Sequence, residues 1–440
     1  MIDAHLGIST ACDCGETHRV DIRTVRIGRG ITESIGVLAQ DLGWRGTLVM
    51  VADPQTLQAA GDRVATLLQK VGFDVIPLIL SSHPVATPDS VAHVRSQVGA
   101  ATALVAVGSG TINDIVKSAA SDLGLPYLVV GTALSMNGYT SSISALLDGG
   151  IKRTLQTQPA QAVVLDLDVC AAAPRAMTLA GLGDMLSKPF SEADWRLASR
   201  VGGGYHCTRP GNILNEAFQR MIADAAGIGR SAPDSLQSLA ESIALSGISM
   251  AMAGVSSPAS GGEHLISHYW DMMRYGIGEH PFALHGTQVG AACCMVEGLH
   301  HRFQRVTADD VDVDSCIRAW PETQHALAER VRIRHSNLPD DVVPGVIEQA
   351  IQKWRPPSQQ RERLERLRDN LASIRTFVGD ALLDEGAVRQ ALVDAGGLTQ
   401  ATEVDPSLAG TLERWHVVRD IRSRYTILDL AAELGWFASV

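Results

Sequence analysis

The sequence predicts a two-part chain, an α/β N-terminal half with a Rossmann-like nucleotide-binding sheet and an all-α C-terminal half. Three observations predict it. Apolar, β-branched runs alternate with helical stretches over the first 170 residues, a Gly-Ser-Gly turn joins one such run to a helix, and strand-like runs become scarce after Pro174. Continuous apolar runs between helices indicate a largely parallel sheet covered on both faces.

Taken in order, "GTLVMVAD" (46–53) reads as a buried strand, followed by a helix in which Leu57, Val64, Leu67 and Leu68 share one face. "FDVIPLIL" (73–80), "TALVAVGSG" (102–110), "LPYLVVGT" (125–132) and "QAVVLDLD" (161–168) supply further strands, with a helix running from the glycine turn through Lys117. The boundary is placed at residue 170, giving an NAD-binding part (1–170) and a helical metal- and substrate-binding part (171–440). "IQKWRPPSQQRERLERLRDNLASIR" (351–375) reads as a solvated amphipathic helix with Leu364, Leu367 and Leu371 facing inward.

Of 440 residues 45% are hydrophobic and 19% charged, as in ordinary soluble domains. A net charge of -11 argues against a general nucleic-acid binder. Seven scattered cysteines make no disulfide framework at this size. "MIDAHLGISTACDCG" has no basic start or apolar core of a signal peptide, and no run approaches a membrane span, so a cytoplasmic enzyme is expected.

Gly108 and Gly110 allow backbone amides to approach a pyrophosphate at a helix start. The third glycine of the dinucleotide fingerprint is replaced by Asn113. Asp53 ends a strand where a carboxylate can accept ribose hydroxyls and repel a 2′-phosphate, favouring NAD with NADP as the alternative; it also suits an N-cap before Pro54. "SGGEHLISHYWDMM" (260–273) puts His264 and His268 on one helix face, but Leu265 stands where a zinc protease needs glutamate. Asp184 in "LAGLGDMLSK" and His285 in "FALHGTQVG" complete a possible open site of one carboxylate and two imidazoles, with His280 competing on equal terms. In "CDCGETH", Cys12, Cys14 and His18 invite a soft metal, but without paired C-x-x-C spacing the segment reads as a reduced structural tail. Cys293 and Cys294 read as core residues.

The ordered set "GSGTIND", "TALSMNGYTS", "AGLGD", "ADW", "SPASGGEHLISH" and "LHG" resembles the sn-glycerol-1-phosphate dehydrogenases, especially their bacterial branch. These lie within the superfamily of iron-type alcohol dehydrogenases, glycerol dehydrogenases and dehydroquinate synthases. The resemblance spans residues 12 to 300 and implies an active site in the cleft between the two parts. It places Asp184, His264 and His285 on the metal ligands, with Asp184 also at the substrate. His268 falls on a catalytic substrate contact, and Gly110, Thr111, Ile112, Asn113, Asp114, Thr132, Ser135 and Ser141 fall on cofactor contacts. His280 matches nothing.

Asn137 stands where the family usually has aspartate, at a substrate-binding position, and Gly131 where it usually has proline. Lys188 replaces the fourth-ligand histidine of iron-type alcohol dehydrogenases, and dehydroquinate synthases generally use glutamate in place of Asp184. The resemblance therefore implies metal-dependent, NAD(P)H-linked reduction of dihydroxyacetone phosphate to sn-glycerol 1-phosphate, with zinc or nickel favoured over iron. Lys152, Arg153 and Lys188 are candidates for the substrate phosphate, and a homodimer or larger oligomer is expected. Rival readings are a related polyol or ketose-phosphate dehydrogenase, a dehydroquinate-synthase-like cyclase, and a non-catalytic metal- and nucleotide-binding regulator.

Overall fold

The computed structural model describes residues 2–149, 151–411 and 415–437. Ten strands occur among them: β1 (Ile8–Ala11), β2 (Thr17–Val20), β3 (Thr24–Gly28), β4 (Thr47–Ala52), β5 (Asp74–Ile79), β6 (Ala103–Gly108), β7 (Tyr127–Gly131), β8 (Ile143–Asp148), β9 (Ile151–Gln156) and β10 (Ala162–Asp166). Six of them form one parallel sheet in the order β3-β10-β7-β6-β4-β5, while β1-β2 and β8-β9 are separate antiparallel hairpins.

The uninterrupted apolar runs serve two cores. Leu48, Met50 and Ala52 face one side of the sheet with Val105 and Val107. Val49 and Val51 face the other with Leu104 and Ala106. Side chains alternate across a strand, so a strand buried on both faces must be apolar at every position. Each fully buried Val or Leu contributes about 1.5–3 kcal/mol, so the central strands are strongly committed to this placement.

The order of strand addition reverses at β4 and β6, since β5 is added on one side of β4 and β6 on the other, and ligands of such sheets settle outside the carboxyl ends of strands at that switch point. The β6 end carries the Gly108–Ser109–Gly110 turn into α1 (Gly110–Leu123), which closes on Gly124 in the left-handed region at φ 65°.

From Leu167 onward all described elements are helical. Five bear on the site: α2 (Arg175–Leu186), α3 (Lys188–Gly202), α4 (Pro233–Ala253), α5 (Gly262–Tyr275) and α6 (His285–Arg305). Their apolar faces join the core on one side of the sheet, so strands and helices share a continuous interior there. The arginine-rich stretch differs from its expected single helix. Lys353 ends one helix, Pro357 starts the next (Pro357–Asp369), and Leu371 starts a third, because proline cannot continue a helix and restricts the residue before it. Leu364, Leu367 and Leu371 do face inward. Among the described residues no helix is long and apolar enough to cross a membrane.

Candidate active site

Glycine decides how the carboxylate and the imidazoles meet. A Cβ on Gly183 would sit 2.2 Å from the Gly286 carbonyl oxygen, and one on Gly286 would sit 1.8 Å from that of Ala180. Helices α2 and α6 therefore touch main chain to main chain. This contact sets Asp184, next to Gly183, opposite His285, next to Gly286. Gly181 makes the same approach to the sheet half, where a Cβ would lie 1.8 Å from the Leu134 carbonyl oxygen. The motifs "AGLGD" and "LHG" are thus packing requirements as much as ligand carriers.

One ligand atom from each of Asp184, His264 and His285 falls in a group lying within 4.8 Å of one another. His264 Nδ1 donates to Glu263 Oε1 at 2.8 Å, which assigns its proton and turns the Nε2 lone pair toward Asp184 Oδ1, 3.3 Å away. Ligand atoms about 2.0–2.1 Å from a tetrahedral ion stand about 3.3 Å apart, so this pair of acceptors fits a divalent cation. His285 meets Ser267 Oγ through Nδ1 at 3.1 Å, leaving its Nε2 available. Burial, then the charge of Lys152, holds the His285 and His268 pKa values well below the ordinary histidine range. Both rings are therefore neutral near pH 7, as ligation requires. Burial pushes the Asp184 carboxyl upward, but the Lys188 ammonium overcomes it and holds the carboxyl low.

Lys188 is buried, and its Nζ donates to Asp184 Oδ1 at 3.3 Å, Ser187 Oγ at 3.1 Å and the Ala259 carbonyl at 3.1 Å. That fully occupied ammonium corrects its reading as a phosphate contact. Arg153 pairs with Asp148 at 3.0 Å on the surface, which removes it too. Lys152 remains on the cleft wall.

A single cleft of about 430 Å³ runs from the α1 start to the three-residue cluster. Gly110, Thr111, Asp114, Ser135, Asn137 and Ser141 line its sheet side; Asp184, His264, His268 and His285 line its helical side. Gly108, Ile112, Asn113, Thr132 and Asp53 do not line it. Ile112 packs beneath Gly108, where a Cβ would lie 2.7 Å from the Ile112 side chain, and so can reach a cofactor only through its backbone. The Asn113 amide donates to the Gly138 carbonyl at 3.3 Å, and Thr132 N donates to the Gly108 carbonyl at 3.1 Å. Asp53 caps its helix, accepting from Thr56 N at 2.8 Å.

His268 lies ring-on-ring with His285, centroids 5.3 Å apart, and its buried Nδ1 has no protein partner. With Asp271 and His285 it makes a second possible ligand group sharing one member with the first. His280 lines the cleft but joins neither group. Asn137 N donates to Asp184 Oδ2 at 3.0 Å and its side-chain amide to Ser246 Oγ at 3.1 Å, tying the sheet side to α2 and α4. Gly131 has lost the space for a larger ring: a Cβ there would meet the Leu165 side chain at 2.6 Å.

Sequence reasoning passed over Glu263, whose Oε1 also accepts from Ser191 Oγ at 2.9 Å and Gly261 N at 2.8 Å. Its place directly before His264 was the available signal. Lys117 was missed as well. Its buried Nζ donates to the Gly138 and Ile143 carbonyls at 2.6 and 2.8 Å, bracing the loop that carries Asn137, and desolvation lowers its pKa to about 8. The "CDCGETH" segment, expected as a reduced structural tail, turns β1 into β2, and its Cys12 meets Cys207.

A family model described as iron-containing alcohol dehydrogenase matches residues 26–174. The chain is 35% identical over 308 residues to the glycerol-1-phosphate dehydrogenase [NAD(P)+] of Halalkalibacterium halodurans, covering 68% of this chain and 76% of that one. It is 34% identical over 278 residues to the same enzyme of Methanosarcina acetivorans, covering 63% and 76%. In fold it is similar to a probable glycerol dehydrogenase from Sinorhizobium meliloti (TM-score 0.53, 18% identity, 82% of this chain and 98% of that one). It is also similar to an iron-containing alcohol dehydrogenase from Thermococcus thioreducens (TM-score 0.58, 12% identity, 95% and 99%). Parallel sheet, helical body and sequence likeness together make this chain an oxidoreductase of the glycerol-1-phosphate dehydrogenase family, within the iron-type alcohol dehydrogenase superfamily.

Proposed function

We propose that the chain reversibly reduces dihydroxyacetone phosphate to sn-glycerol 1-phosphate with NAD(P)H, using a divalent ion, zinc or nickel, held by Asp184, His264 and His285. The observation that carries it is the single cleft joining the glycine-turn helix to those three side chains. The division of labour falls near residue 170, with the sheet part holding nucleotide and the helical part holding metal. When bound, the ion supplies Lewis-acid polarisation of the ketone and the nicotinamide supplies the hydride.

The chain's own residues position and neutralise. The amides opening α1 hold the pyrophosphate, and Gly110 keeps that approach clear. Glu263 fixes the His264 ring so that Nε2 faces the ion, and Asn137 N fixes the Asp184 carboxylate. Lys152, the cationic wall of the cleft, takes the substrate phosphate. His268 stays neutral, and its open Nδ1 orients a substrate hydroxyl or passes its proton. Identity of the ketone rests on the named relatives and on Lys152.

The test is NADH oxidation by metal-loaded protein with dihydroxyacetone phosphate against dihydroxyacetone. Turnover is expected with the phosphorylated ketone only, and Lys152→Ala raises its KM about 10–100-fold, the cost of a charge-assisted hydrogen bond, without changing KM for NADH. Equal turnover of both ketones, or none with either, overturns the proposal.

A further inference from the structure

We propose that Cys12, Cys14, His18 and Cys207 bind a zinc ion in a closed structural site, separate from the cleft. One ligand atom from each lies within 4.8 Å of the others. Cys12 Sγ and Cys207 Sγ are 3.8 Å apart, and His18 Nε2 is 3.5 Å from Cys14 Sγ and 3.3 Å from Cys207 Sγ. A tetrahedral zinc with sulfur at about 2.3 Å and nitrogen at about 2.0–2.1 Å has S–S edges of about 3.8 Å and S–N edges of about 3.5 Å. The separations match that tetrahedron. They do not match a disulfide, whose sulfurs stand about 2.05 Å apart.

The surroundings point the same way. His18 Nδ1 donates to the Met252 carbonyl at 2.7 Å, which assigns the proton and aims the Nε2 lone pair at the sulfurs. The main-chain N–H of Cys14, Glu16 and Arg209 each hydrogen-bonds the sulfur two residues earlier, fixing where the three sulfurs stand. Three thiolates and one imidazole are the soft set that selects zinc among available divalent ions. His18 and Cys207 are buried and Cys12 and Cys14 half-buried, so four protein donors close the shell with no position for substrate. None of the four lines the cleft.

The ion would fasten the β1–β2 hairpin to the segment between α3 and the Thr208–Asn212 helix, with the end of α4 held through Met252. Its binding free energy would then be folding free energy of that corner.

Cobalt(II) substitution of the full chain tests this, because only a sulfur-bearing site gives an intense thiolate-to-cobalt charge-transfer band. Wild-type protein is expected to show that band with tetrahedral d–d transitions. Purified without added metal, it is expected to retain one equivalent of zinc after the chelation that strips the cleft. Asp184→Ala keeps the band and Cys207→Ser loses it, so failure here and failure of the proposed reaction are distinguishable. Should Cys207→Ser not fold, the wild-type spectrum and alkylation decide: the three thiols are protected until zinc is removed. No band, rapid alkylation of the native protein, or a Cys12–Cys207 disulfide by mass spectrometry overturns the proposal.

Discussion

Two of the candidate ligand clusters among the described residues are built from opposite materials. In the cleft, one carboxylate and two imidazoles meet beside a buried lysine, along a wall that opens to small molecules. At the β1–β2 hairpin, three sulfurs and one imidazole meet, and none of the four lines that cleft. An open shell of oxygen and nitrogen leaves a coordination position for chemistry, whereas a closed sulfur shell leaves only cohesion. His264 and His18 are aimed the same way, with Nδ1 donating to a fixed acceptor, Glu263 in one cluster and the Met252 carbonyl in the other. What separates the clusters is therefore donor chemistry and access.

The largest effect should come from Asp184→Ala. Turnover should fall about 10³-fold or more with loss of the cleft ion. Stability should fall by about 3–5 kcal/mol, because Lys188 is left buried without its carboxylate. Adding Lys188→Met should recover the stability, read by denaturant melts, but not the metal; recovery of both would break the contrast.

Next is Gly183→Ala. Its Cβ must push the Gly286 carbonyl away, costing about 1–3 kcal/mol and spreading the cleft ligands. Elemental analysis should show metal lost from the cleft while the cysteine cluster is unaffected. Glu263→Gln keeps the shape but weakens the hold on His264, for about 10–100-fold in metal affinity or activity, measured by metal titration.

The smallest effect concerns acid. Burial lowers the His300 pKa to about 3, below the ordinary histidine value of 6.5. Between those values the unfolded chain binds the proton and the folded one does not, so stability is full above pH 6.5 and declines as pH falls toward 3. His300→Gln should flatten that decline in pH-dependent melts. Because His300 shares α6 with His285, an unchanged profile would assign the acid loss to the ligands instead.

Much of this was legible in sequence, for reasons that differ by residue. Strands β4, β6, β7 and β10 announced themselves because both faces are buried. Edge strand β3 did not, since "TVRIG" mixes Arg26 into a short run. The β8–β9 hairpin passed unnoticed because its strands are half polar. Asp184, His264 and His285 were nominated by motif order, and the structure brings them together. Cys207 lies 189 residues from His18, and no local spacing connects them. Lys117 looks like any helical lysine until the loop 21 to 26 residues later folds over it. Leu364 faced inward as expected, but the "PP" at 356–357 broke the helix that periodicity alone would have continued.

The contact of Gly181 with the Leu134 carbonyl makes the sheet half and α2 meet at a fulcrum rather than across a cushion of side chains. Rocking about such a point changes the width of the mouth far more than the spacing beside it. Asn137, three residues past that contact, grips Asp184 close beside the pivot, where any rocking would displace the pair least.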